Sequence, residues 1–153
     1  MKIITFTLLC TLFSCTSPSG TFRLTRQYLF PAMEKVANWQ IANFTYRTEG
    51  SPYFLHDHGI DAWTNATLFL VMSCWAGVAA DEKYAEWLLN IGNTNGWKVP
   101  DNLKDTRYGL YHADELCIIQ FYQAMYRRYR KPEMLEATRA RLDYIIQNPP
   151  DTS

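Results

Sequence analysis

The chain has 153 residues, 48% hydrophobic and 15% aromatic, with 15 basic side chains matched by 15 acidic ones. That length sets one domain as the default, the apolar content excludes a disordered chain, and a formal charge of zero removes the drive toward nucleic acid or another polyanion. Five Trp, ten Tyr and eight Phe serve either to fill a core or to offer flat faces on which sugars stack.

At the start, Lys2 gives a small positive n-region, and the apolar stretch from Ile3 to Phe13 is too short to span a bilayer. It ends Leu12-Phe13-Ser14-Cys15 and gives way to the polar run Thr16-Ser17-Pro18-Ser19-Gly20. The pattern resembles a bacterial lipoprotein signal, with Cys15 as the lipidated first residue of the mature chain; an ordinary secretory signal cut nearby is the alternative. The expectation is therefore residues 1–20 as signal and linker, residues 21–153 as one domain, and a protein exported and held at the bacterial cell envelope by its lipid alone. With Cys10 lost with the signal and Cys15 lipidated, Cys74 and Cys117 remain, and both are expected to be free and buried in apolar helical runs. A CxxC pair and a disulfide framework are absent.

Pro31 reads as a helix start, followed at helical spacing by Met33, Val36, Ala37, Gln40 and Ile41. After a loop marked by Pro52 and Gly59, the stretch from Thr64 to Ala80 is apolar nearly all round and is expected inside the protein. Asp81 is placed to cap the next helix, whose Tyr84, Trp87, Leu88 and Ile91 form one stripe of an outer, amphipathic helix. Asn95-Gly96 and Pro100 interrupt it. The arrangement then recurs, with an inner helix from Ala113 to Tyr129 and an outer one opened by Pro132 and running through Leu135, Thr138, Leu142, Ile145 and Ile146.

Trp63 and Ala113 are 50 residues apart, and a repeat of that size predicts stacked helical hairpins in an all-α fold, open as a solenoid or closed as a toroid. Asn148 to Ser153 is a loop signal with no polar capping unit before it, so the array reads as cut short.

Three clusters carry polar chemistry: His56-Asp57-His58-Gly59-Ile60-Asp61 with Trp63-Thr64-Asn65, then Asn95-Gly96-Trp97-Lys98, then His112-Ala113-Asp114-Glu115. The first and third hold equivalent places in successive hairpins, so inner-helix N-termini converge on one rim and favour an anion there. Each cluster also has a structural explanation. Asp114 and Glu115 complement a helix dipole, Asn65 hydrogen-bonds its own first turn, and Trp63 and Trp97 fill core. His56 and His58 lack the further ligands of a metal site, so no metal or other cofactor is expected. The signatures of serine hydrolases, P-loop and dinucleotide-binding proteins and zinc peptidases are absent.

The order of these pieces is what identifies a family. Asp61-Ala62-Trp63-Thr64-Asn65-Ala66-Thr67-Leu68 resembles the D-W-T-x-G/A-x-x-x opening of an inner helix in the unsaturated rhamnogalacturonyl hydrolases, glycoside hydrolase family 105. Asp81 to Tyr84, Asn95 to Lys98, His112 to Glu115, and Pro132 to Leu135 through Asp143 follow in the family's order, and the related unsaturated glucuronyl hydrolases of family 88 share the architecture. The resemblance implies an (α/α)6 toroid, of which this chain supplies the first hairpins. It implies hydrolysis of saccharides ending in a 4,5-unsaturated galacturonic acid, the ends left by pectin lyases. The reaction protonates the ring double bond, adds water and opens the resulting hemiketal. By position, the resemblance makes Asp114 a catalytic carboxylate, Asn65 a polar contact of the uronate, Trp63 an aromatic wall and His112 an orienting group, and it puts Glu115, taken as substrate-binding, where many members have a second Asp. The family's principal acid/base belongs to a W-x-D-x-x-F-M segment with no counterpart here, so the 153-residue chain alone is expected to be nearly inactive and to self-associate through an exposed apolar face. Two rival expectations are a noncatalytic helical array presenting Trp63, Trp97, Tyr108 and Tyr111 to sugars, and a gene fragment without function.

Overall fold

A computed structural model describes residues 25–45, 59–100 and 110–149. The proposed signal with Cys15, as well as His56, His58 and Tyr108, lies outside the described residues. The fold is all-α, with α1 (Arg26–Asn43), α2 (Trp63–Val78), α3 (Lys83–Asn95), α4 (Ala113–Leu116), α5 (Ile118–Tyr129), a 3₁₀ turn (Pro132–Met134) and α6 (Glu136–Gln147).

Aromatic side chains set the directions of these helices. Trp75 meets Tyr84 at 5.7 Å and Phe69 meets Trp87 at 6.0 Å, so α2 and α3 run antiparallel as a hairpin. Phe30 meets Trp75 at 5.5 Å and Phe44 meets Phe69 at 5.4 Å, which makes α1 antiparallel to α2 and parallel to α3. The Tyr84 hydroxyl bonds Asn38 Oδ1 at 2.9 Å and links α1 to α3 directly. Thus α1, α2 and α3 each pack against the other two.

α5 repeats the position of α2. Thr67 Oγ1 lies 3.9 Å from Cys117 Sγ, the Phe69 and Phe121 rings are 5.2 Å apart, and Arg128 Nη1 donates to the Ala76 carbonyl at 3.3 Å. Those pairs advance together along both helices, with separations of 50 to 52 residues in sequence. Hence α2 and α5 are parallel neighbours, and the 50-residue period is a spatial repeat. Phe69, Phe121, Tyr84, Tyr122, Leu88 and Ile118 form the centre of the core and are almost fully buried. Truncating a phenylalanine such as Phe121 to Ala in such a setting costs about 3–5 kcal/mol.

Several boundaries differ from the sequence reading. Pro31 lies inside α1, not at its start. Its ring removes one hydrogen bond, to Gln27, on a stretch where both residues are exposed, so the helix tolerates it. Asp81 acts one residue before the N-cap position: its Oδ1 accepts from the Lys83 N–H at 2.9 Å, and the helix begins at Lys83. The predicted single helix from Ala113 to Tyr129 is interrupted at Cys117, where the N–H bonds the Asp114 carbonyl in a tightened turn. Pro132 opens a 3₁₀ turn before α6, not α6 itself.

Burial also departs from expectation. α2 is apolar all round but not covered all round: Val71 is 61% and Val78 51% exposed, and Cys74 is exposed with its thiol free. Cys117 is free and half-buried. α6 buries Thr138 but leaves Leu142 and Ile146 open. The common cause is position: among the described residues these faces have no helix packed on them.

Candidate functional site

Parallel α2 and α5 have their N-termini at one end, and α4, which leads into α5, packs against α2. Trp63 to Asn65 therefore stands level with Ala113 to Glu115. α3 runs back toward the same end, so its C-terminal turn, Asn95 to Lys98, arrives there too. The described parts of the three polar clusters therefore lie toward one end of the bundle, where α2 and α4 contribute helix N-termini, which favour an anion, and α3 contributes a C-terminal turn.

The entry to α2 is held by Asn65. Its side chain is 9% exposed, and Nδ2 donates to the Gly59 carbonyl at 2.9 Å. The bond reaches back six residues to the preceding loop, not into the first turn as expected. It ties down the Gly59–Asp61 approach, in which the Asp61 carboxylate folds over Gly59, so that a Cβ there would have to push it aside. Trp63, the first residue of α2, is 50% exposed and presents its indole at the rim.

Across from it, His112 and Asp114 flank the start of α4. His112 Nδ1 lies 3.7 Å from Asp114 Oδ2, an ion pair when the imidazole is protonated, and both side chains are about half exposed. Glu115 is half-buried. Exposed carboxylates in the first turn are stabilised by the free N–H groups of the helix.

The Asn95-Gly96-Trp97-Lys98 cluster proves structural. Gly96 ends α3 in the left-handed conformation with φ 61°, and Trp97 follows in the same region with φ 55°. A bulky residue is strained there. Three contacts hold it. The ring packs where Gly92 has no side chain, stacks on Phe121 at 6.1 Å, and donates from Nε1 to Asn93 Oδ1 at 3.2 Å. At 5% exposure Trp97 offers no face to a sugar, so the surface of rings that would bind saccharide noncatalytically loses that member.

Tyr122, which sequence reasoning passed over, is the hub of this end. Its hydroxyl accepts from Asn95 Nδ2 at 2.6 Å and donates to the Lys98 carbonyl at 2.7 Å. Burial pushes its phenol above the ordinary value; the Asn95 bond opposes the shift, and the nearby Asp61 charge adds to it. Asp61 thereby connects the first cluster to the second. Tyr122 stands seven residues after Glu115, two helical turns below it, and that spacing was the available signal.

Among the described residues no group of three or more His, Cys, Asp or Glu side chains is placed to hold a metal ion. None of their helices is long and apolar enough to cross a membrane. The family model described as Glycosyl Hydrolase Family 88 matches residues 32–153. No curated protein and no solved structure matches the chain.

Proposed function

The chain belongs to glycoside hydrolase family 88, and on that premise we propose that its rim takes the unsaturated uronic acid at the end of a pectin-derived, rhamnogalacturonan-type oligosaccharide. Membership carries a hydrolase function on saccharides with such an end. The finer reading is supported by one observation above the rest: parallel, level N-termini of α2 and α4 bring Trp63, Asn65, His112, Asp114 and Glu115 to a single edge.

In this reading the uronate carboxylate meets the free N–H groups of the two N-termini, and its ring lies along the Trp63 indole. Asp114 is the catalytic carboxylate of this wall. It holds or hands over the proton that the ring double bond must gain before water adds and the hemiketal opens, releasing the remaining sugar. His112 orients that carboxylate, Glu115 contacts the sugar beside it, and Asn65 acts by keeping the α2 entry rigid. The two-carboxylate displacement at the anomeric carbon plays no part.

The rim is open: Asp114 and Trp63 face solvent on a single wall. Proton transfer by a positioned side chain contributes about 10²–10⁴-fold, and water competing at an open wall forfeits much of it. The 153-residue chain is therefore expected to bind the unsaturated disaccharide of galacturonic acid and rhamnose and to turn it over slowly at best. The test follows ultraviolet absorbance of the unsaturated acid, which disappears on hydration. A slow, Asp114-dependent loss abolished by Asp114→Asn supports the assignment; turnover unchanged by that substitution refutes it.

The same proposal places the protein at the cell envelope through lipid on Cys15. Cys15→Ser is expected to release it from the membrane fraction, and retention of that variant there would contradict the anchor.

A further inference from the structure

The two helices of the rim are joined side chain to side chain one turn below it. Thr67 stands four residues after Trp63 on α2, and Cys117 stands three residues after Asp114, at the junction of α4 and α5. The Thr67 hydroxyl donates to the Trp63 carbonyl at 2.8 Å. That bond uses its only proton, so the same oxygen, 3.9 Å from Cys117 Sγ, meets the sulfur as an acceptor and the thiol is the donor. We infer that Thr67 and Cys117 are positioning residues of the rim, which together set how far the Asp114 carboxylate stands from a sugar ring lying on Trp63.

The Asp114 wall turns on the same cysteine. The Cys117 N–H bonds the Asp114 carbonyl at 3.3 Å, and the Cys117 carbonyl accepts from the Gln120 N–H at 3.2 Å. Both bonds span three residues, so the backbone tightens on either side of Cys117, where α4 gives way to α5. Asp114 is thereby tied by one bond to the residue that touches α2. A chain of contacts runs from the Trp63 carbonyl through the Thr67 hydroxyl and the Cys117 thiol to the Asp114 carbonyl, from one wall to the other.

The chemistry of the pair suits spacing more than support. A thiol is a weak donor, and Thr67 is exposed, where substitutions change stability little. What the pair fixes is a distance. Thr67 is β-branched and stiff about χ1, and its hydroxyl is tied to its own helix, so the oxygen that receives the thiol does not swing aside. Distance is what the proposed reaction is sensitive to: a misplacement of about 1 Å at a reacting group costs up to about 10²-fold in rate. The inference rests on the reading of Asp114 as the group that transfers the proton, and it assigns neither Thr67 nor Cys117 a contact with the sugar.

The experiment follows the ultraviolet absorbance of the unsaturated galacturonic acid–rhamnose disaccharide with the intact chain and, separately, the S–H stretching band by infrared spectroscopy. Thr67→Val keeps the branched shape and removes the hydroxyl, Thr67→Ser keeps the hydroxyl, and Cys117→Ala removes the thiol. Thr67→Val and Cys117→Ala are each expected to lower kcat about fivefold or more with KM changed less than about twofold, while Thr67→Ser stays within about twofold of wild type. In the infrared, the Cys117 band, identified by its loss in Cys117→Ala, is expected to move to higher frequency in Thr67→Val and to hold its place in Thr67→Ser. Wild-type kcat in both Thr67→Val and Cys117→Ala overturns the inference, and so does a fall in kcat that Thr67→Ser shares. A band unmoved by Thr67→Val overturns it as well, because the thiol is then not bonded to that hydroxyl. A wild-type chain without Asp114-dependent turnover sinks the reading of the rim and the positioning role with it. The infrared band still reports on the thiol bond in that case, so the two failures are told apart.

Discussion

Tyr122 shows how much one hydroxyl can organise. Its ring is core, and its oxygen joins the end of α3 to α5 through Asn95 and the Lys98 carbonyl. Tyr122→Phe keeps the ring and removes both bonds, at an expected cost of about 1–2 kcal/mol, since Asn95 still reaches the Lys98 carbonyl. The pH dependence is more diagnostic. Burial holds the folded-state phenol well above its ordinary value of 10.0, so the folded and unfolded chains bind equal protons below that pH. Above it the unfolded chain gives up the proton first, and stability falls as pH rises, by up to about 1.4 kcal/mol per unit for this group. Thermal melts between pH 9 and 12 are expected to show a steeper alkaline decline for wild type than for Tyr122→Phe. Parallel declines would show that this phenol is not what the alkaline limb reports.

Between elements, the join from one hairpin to the next is mostly aromatic, with a polar clasp at Arg128 in addition to the Tyr122 bonds. Arg128 donates to the Ala76 carbonyl near the end of α2 and pairs with Glu82 at 2.5 Å at the start of α3. The carbonyl bond satisfies a group that α2 leaves without an intrahelical partner, whereas the Glu82 carboxylate is mostly exposed and its pair is worth under about 1 kcal/mol. Arg128→Ala is accordingly expected to cost about 1–2 kcal/mol and Glu82→Gln less than half of that, measured by denaturant unfolding. Equal losses would mean that the ion pair carries the clasp. Legibility differed in the same way. The helices themselves were readable, because Tyr84, Leu88 and Ile91 repeat at helical spacing and their burial follows from it. Helix ends were not: the interruption at Cys117 has no Pro or Gly to announce it, and Pro31 passes as a starter because nothing local says that Arg26 already lies in the helix. Apolar composition predicted cover for α2 but could not supply it, since cover depends on neighbours and not on the helix.

At the scale of the molecule, the 50-residue spacing does most of the functional arithmetic. It sets α5 parallel to α2, and parallel helices put like ends together, so two distant strings of sequence become one edge. That much was readable from Trp63 and Ala113. The division of labour along the edge was not: Asn65 faces the Gly59 carbonyl, Trp97 is buried, and Tyr122 carried no motif. Such choices depend on three-dimensional neighbours that periodicity does not name. The account stands on the rim acting as one saccharide site, and the direct measurement is a two-dimensional ¹H–¹⁵N NMR titration with the unsaturated galacturonic acid–rhamnose disaccharide. The Trp63 indole N–H and the His112 and Asp114 backbone amides are expected to shift together along a single saturation curve, while the indole of Trp39, 60% exposed on α1, stays still. Separate curves for Trp63 and Asp114, or no shift at either, would contradict it.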